Sequence, residues 1–126
     1  MAEVEREMIG DRIVGVAIRG EYDLADEART DLAVDFVVGL EIPNVLIDLS
    51  RCEFIDATGM RMLLRAQERV HRSGARIAIA GPPPQVRRVF ELTGISERLA
   101  LHDGRERALE ALRTPPTQPA LGRRLG

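Results

Sequence analysis

The sequence predicts a single α/β domain with a mixed, mostly parallel sheet of four to five strands and about four helices packed mainly on one face. Three observations predict it. Short β-branched runs alternate with longer stretches of helical periodicity through the middle of the chain, the pattern of βαβ units and parallel strands. Two strand-like runs at the start are joined by a Gly-Asp step, which makes a hairpin turn and so an antiparallel pair. The 126 residues suffice for one hydrophobic core and fall short of the roughly 150 at which a second domain is expected.

Arg12 to Arg19 reads Arg-Ile-Val-Gly-Val-Ala-Ile-Arg, and Ile13, Val14, Val16 and Ile18 give it β-branched content before Gly20 ends the run. A weaker strand around Val4 to Ile9 precedes it across Gly10-Asp11. Between Asp23 and Leu40, the residues Leu24, Ala28, Leu32, Phe36, Val37 and Leu40 recur at spacings of three and four. That is the stripe of an amphipathic helix, with Asp23 or Asp26 capping its start. Pro43 and Asn44 punctuate the chain before Val45-Leu46-Ile47-Asp48-Leu49, a run apolar enough for a central strand covered on both faces.

A second helix is expected from Gly59 to Gly74, with Met60, Leu63, Leu64, Gln67, Val70 and His71 on one side and Arg61, Arg65, Arg69 and Arg72 on the other. Arg76-Ile-Ala-Ile-Ala reads as a strand. Pro82 to Gly94 reads as a short helix carrying Val86, Val89, Phe90 and Leu92, Arg98 to His102 as an edge strand, and Arg105 to Arg113 as a last helix. The domain is therefore placed at 1–113. The Pro- and Gly-rich segment 114–126 is expected to be a disordered tail.

Composition narrows the function. Acids and bases nearly cancel, to a net charge of -2, so neither nucleic acid nor an anionic membrane is an expected partner. No run approaches the ~18 apolar residues of a membrane span, and the acidic start does not resemble a secretory signal, so a cytoplasmic address is expected. All 18 basic residues are Arg. A chain without Lys has no Gly-x-x-x-x-Gly-Lys phosphate loop, and it lacks the strand-end Lys of a phosphoaccepting receiver domain. His71 and His102 lie on different elements without a second His or Cys at ligand spacing, so neither a metal, a cofactor nor an enzymatic constellation is expected. The single cysteine, Cys52, sits beside an apolar run, where a buried thiol acting as a small hydrophobe is the ordinary case.

The informative stretch is Val45 to Gly74. An apolar strand runs through Asp48-Leu49-Ser50 and Phe54-Ile55-Asp56 to Ala57-Thr58-Gly59 and a helix. Two further motifs accompany it in order, Arg19-Gly20-Glu21-Tyr22-Asp23 and Val86-Arg87-Arg88-Val89-Phe90-Glu91-Leu92-Thr93-Gly94. Together they resemble the STAS domain of anti-sigma-factor antagonists over roughly Arg12 to Arg113. The resemblance implies a non-enzymatic domain that binds a kinase-type anti-sigma factor through the loop-helix unit 56–64 and so frees a sigma factor. It implies partner-binding roles for Asp23, Asp56, Ala57, Thr58, Gly59, Met60 and Leu63.

In that family the kinase phosphorylates a Ser or Thr directly after the Asp at the helix entrance. Here that position is Ala57, which has no hydroxyl, and Thr58 is the next hydroxyl along. An N-cap, its oxygen accepting from the backbone N–H of Met60 or Arg61, is the favoured role for Thr58 over phosphorylation. Asp56 and Asp23 are candidate caps as well as candidate binding residues. The alternative function is a STAS subunit of a larger regulatory or transport assembly that binds a protein partner or small ligand. Oligomeric state is left open by the sequence.

Overall fold

A computed structural model describes residues 1–115; the expected tail lies outside the described residues from 116 onward. Strands β1 (Ala2–Ile9) and β2 (Ile13–Tyr22) form an antiparallel hairpin, with Gly10 at the turn in the left-handed region at φ 68°. A short 3-10 turn, Leu24–Asp26, leads into α1 (Glu27–Gly39). Then follow β3 (Asn44–Ile55), α2 (Ala57–Arg72), β4 (Arg76–Ala80), α3 (Pro84–Thr93), a 3-10 turn over Ile95–Glu97, β5 (Leu101–His102) and α4 (Arg105–Arg113). The sheet order is β1-β2-β3-β4-β5, with every pairing after the first parallel. The mixed sheet and the helix count are those the sequence predicts.

The central run is apolar on both faces because both faces are covered. Val45, Ile47 and Leu49 of β3 pack toward α1, α2 and α3. Leu46 faces the other way, against Ala108 and Leu109 of α4. Two arginines fasten α4 there. Arg105 donates to Asp48 at 3.0 Å and to Glu7 at 2.9 Å, and Arg76 donates to the carbonyls of Ala111 and Thr114, each at 2.6 Å, at the end of the helix where carbonyls lack intrahelical partners.

The phase of α1 differs from the expectation. Its buried residues are Thr30, Ala33, Val34 and Val37, whereas Leu24, Ala28, Leu32, Phe36 and Leu40 are exposed. The helix has two apolar rows, so periodicity alone cannot say which one faces the sheet. Polar anchors decide it. The Tyr22 and Thr30 hydroxyls are hydrogen-bonded at 2.6 Å, Thr30 donates to the Asp26 carbonyl at 2.9 Å, and the Asp26 carboxylate is buried against the backbone of Ala2. Rotating the outer row inward would break the Tyr22–Thr30 and Asp26–Ala2 contacts inside the core, where an unpaired polar group costs about 1–3 kcal/mol.

The expected edge strand from Arg98 is also shorter. The Gln67 side-chain amide donates to the Arg98 carbonyl and accepts from the Ala100 N–H, both at 2.8 Å. It takes up the backbone groups that a ladder to β4 would use, and only Leu101 and His102 pair. In α3, Val86 and Phe90 are buried but Leu92 is exposed. On α2, His71 is exposed and Met62 and Ala66 join the buried stripe.

The phase of α1 is open to a direct check by urea unfolding at high dilution. Val34→Ala is expected to cost about 2 kcal/mol through lost packing, and Leu32→Ser less than about 0.5 kcal/mol. The reverse order would restore the phase read from periodicity.

Candidate protein-interaction site at the start of helix α2

Strand β3 ends at Ile55, and Asp56 adopts an extended backbone that turns the chain into α2. Its carboxylate accepts the Gly59 N–H at 2.7 Å, so Asp56 is the N-cap. This corrects the capping role expected for Thr58. Thr58 lies within the first turn, and its hydroxyl accepts from Arg61 Nη2 at 3.2 Å near the surface. The hydroxyl is thus not needed to satisfy the helix end. Ala57, the residue between them, is exposed.

Gly59 is required by space rather than by dihedral angle. A Cβ at this position would lie 2.6 Å from the Tyr22 carbonyl oxygen and 2.9 Å from Ile55 Cγ1. The end of β2 therefore runs directly against the first turn of α2, and Asp23, the next residue after Tyr22, is brought to the entrance of the helix. Asp23 is itself held by a reciprocal cap. Its carboxylate accepts from the Ala25 N–H at 3.0 Å, and its own N–H donates to Asp26 Oδ2 at 3.0 Å.

The structure divides the seven residues proposed from sequence into two sets. Ala57 is exposed and Asp23, Asp56 and Thr58 are half-buried at the entrance of α2, with Asp23 directly following the Tyr22 that Gly59 meets. Gly59, Met60 and Leu63 are buried within the chain, Met60 and Leu63 packing in the core with Tyr22, Val86 and Phe90. The spacing that marks Met60 and Leu63 is the i, i+3 repeat of a core stripe, so they shape the site from beneath rather than presenting it.

Two residues at the site were missed. Asp26 is fully buried, accepting from the Ala2 N–H at 2.9 and 3.1 Å, from the Asp23 N–H and from Arg29. The sequence marks Asp26 as a candidate cap and as an Asp with an Arg three residues on, at helical pairing distance, but not as a buried carboxylate. Phe54, two residues before Asp56, is exposed at the end of β3.

Two of the four arginines on the basic face of α2 are neutralised by α1: Arg65 pairs with Glu27 at 3.2 Å and Arg69 with Asp35. Beneath the site lie two proton donors with altered titration. Burial pushes the Tyr22 phenol up to about 12, opposed by its bond to Thr30, and pushes the Cys52 thiol up to about 11. Cys52 is fully buried, its sulfur 3.5 Å from the Phe54 carbonyl.

A family model of the STAS domain matches residues 8–108. The chain belongs to this family. This STAS domain is 28% identical over 98 residues to the anti-sigma-F factor antagonist RsfB of Mycobacterium tuberculosis, a match covering 78% of this chain and 80% of the relative. Its fold superposes on the crystal structure of an anti-sigma factor antagonist from Mycobacterium paratuberculosis with a TM-score of 0.75 and 27% identity, over 90% of this chain and 96% of the other. It also superposes on the anti-sigma factor antagonist SpoIIAA in its unphosphorylated form, with a TM-score of 0.72 and 19% identity, over 91% of this chain and 100% of the other. Among the described residues, no helix is long and apolar enough to cross a membrane.

Two predictions follow from the geometry. Gly59→Ala is expected to destabilise the domain by about 2–3 kcal/mol, because the obstructing atom is a backbone carbonyl that cannot swing aside. Asp56→Ala is expected to cost about 1 kcal/mol and Thr58→Ala less than about 0.5 kcal/mol; equilibrium denaturation separates the three, and a Thr58 cost equal to that of Asp56 would return the cap to Thr58. The second concerns alkaline pH. Cys52 and Tyr22 lose protons more easily in the unfolded chain, near 9.0 and 10.0, than in the folded one, near 11 and 12. Their contribution to stability is complete below the unfolded values and is lost as pH rises through the folded ones. The unfolding free energy is expected to fall from about pH 9 upward, and a thiol reagent at pH 8 should modify Cys52 only as fast as the domain opens.

Proposed function

We propose that this STAS domain is an anti-sigma-factor antagonist that binds a kinase-type anti-sigma factor and thereby frees a sigma factor in the cytoplasm, without enzymatic activity and without contacting DNA or membrane. The observation that carries the reading is the juxtaposition of Asp23 with Asp56, Ala57 and Thr58 at one surface point, held there by the contact of Gly59 with Tyr22. The relatives named above support the general role. In this reading Asp23, Asp56, Ala57 and Thr58 touch the partner, while Gly59, Met60 and Leu63 set their positions.

The residue at the family's acceptor position decides how such a complex is regulated. A phosphate adds about -1.5 to -2 charges at neutral pH. At a helix start the backbone N–H groups and the dipole tolerate it, so the fold survives, but inside a protein interface the same group brings bulk and a desolvation cost. Ala57 has no oxygen to carry a phosphate, and the domain acts as an antagonist that cannot be switched off at that position. A displaced switch would use Thr58, whose hydroxyl is free of capping duty.

The test is to mix the purified chain with kinase-type anti-sigma factors and nucleotide, following complex formation and intact mass together. Binding with no mass change is expected for the natural sequence. Ala57→Ser is expected to gain the mass of one phosphate and to leave the complex, and Thr58→Ala to bind as the natural chain does. A phosphate on the natural chain that disappears in Thr58→Ala would move the switch to Thr58. If no such anti-sigma factor binds, the chain is instead a subunit of a larger assembly.

A further inference from the structure

Helix α1 is apolar on both of its sides. The inner row is in the core, and the outer row is bare: Leu24 is 60% exposed, Leu32 68%, Phe36 43% and Leu40 39%, with Met8 of the neighbouring strand β1 at 52%. These are five of the eight large apolar side chains exposed among the described residues. A helix at a protein surface ordinarily turns charged and polar residues outward, and one that is apolar all round is covered on both sides. Contiguous exposed apolar patches mark contact surfaces.

The ridge is bordered by opposite charges. On the β1 side, the Arg6 guanidinium lies 3.8 Å over the Phe36 ring, and Arg6 forms no salt bridge among the described residues. On the α2 side stand Glu27, Asp31 and Asp35. Glu27 and Asp35 are paired with Arg65 and Arg69, while Asp31 is exposed and has no cation partner among the described residues. One unmatched cation and one unmatched anion thus flank the same apolar strip from its two sides.

We propose that the outer ridge of α1 is a homodimer interface, occupied by the same ridge of a second copy of this chain. A two-fold axis running along the helix direction keeps each residue at its level and exchanges the two sides of the strip. The Arg6 border of each copy then faces the acidic border of the other, with Asp35 level with Arg6 and Asp31 about one turn along the helix, and Leu32 packs on Leu32. Ala28 and Gly39 lie on the same outward side and let the helices approach. Self-pairing through the open edge of β1 is disfavoured by Glu3, Glu5 and Glu7, which share one side of that strand, although Arg19 and Arg105 partly neutralise Glu5 and Glu7.

The ridge is the outer face of one short helix, so the dimer is a reversible one whose formation depends on concentration. Its centre near Leu32 to Phe36 lies about nine to thirteen residues from Asp23, roughly 14–20 Å along the helix. The dimer is centred away from the entrance of α2, although its Leu24 end reaches the residue after Asp23, and the inference rests on observations separate from the function proposed for that site.

Sedimentation equilibrium of the full chain over a dilution series tests it. The apparent mass is expected to rise from monomer to dimer, and Leu32→Glu, or the milder Leu32→Gln, to hold it at monomer with an unchanged circular dichroism spectrum. Arg6→Glu and Asp31→Arg are each expected to weaken association by about threefold, and the two together to restore it, since the charges are then exchanged rather than lost. A monomer at the highest soluble concentration overturns the proposal. So does a dimer that survives Leu32→Glu, a double exchange no tighter than either single one, or a monomer whose Leu32→Cys cross-links to an anti-sigma factor.

Discussion

The site depends on one absence of atoms. Where Gly59 meets the Tyr22 carbonyl there is no room for a methyl group, and this allows the end of β2 to lie against the first turn of α2. Those elements are far apart in sequence and adjacent in the sheet, with Tyr22 paired beside Ile55. Register and close approach together bring Asp23 to Asp56. With a larger side chain at residue 59 the two segments would have to separate, and the four surface residues would no longer form one patch. Tyr22 adds a second anchor, since its ring is buried and its hydroxyl is tied to Thr30 of α1.

A polar skeleton runs behind the apolar core and fixes what the core alone leaves undetermined. Asp26 gathers the N-terminal backbone, the β2–α1 connection and Arg29 around one buried carboxylate. Such a group is costly to bury unless every lone pair is used, and here the donors converge from three segments. The skeleton acts on specificity more than on bulk stability, because it selects one rotation of α1 from two that hydrophobic burial would accept.

The fold was legible because periodicity and β-branching report burial directly. The continuous run Val45 to Leu49 marked the central strand, and the motif from Phe54 to Gly59 marked the helix that follows it. The rotation of α1 was not legible, since Leu32 and Phe36 are as apolar as Val34 and Val37. The length of β5 was not legible either, because it is set by the side chain of Gln67, thirty-odd residues away. At the site, Asp23 and Asp56 to Thr58 could be named from the chain. Which of Asp56 and Thr58 caps the helix could not, for both residue types are good caps and only the extended backbone of Asp56 decides.

Because Asp56 alone satisfies the start of α2, the two positions after it contribute almost nothing to the integrity of the domain. Ala57 and Thr58 can therefore vary under selection without a folding penalty. A single nucleotide change interconverts alanine and serine codons, so in the function proposed above a covalent control point at that helix is one codon change away. In that reading, how the scaffold is controlled and how it is built are separable properties of the same helix start.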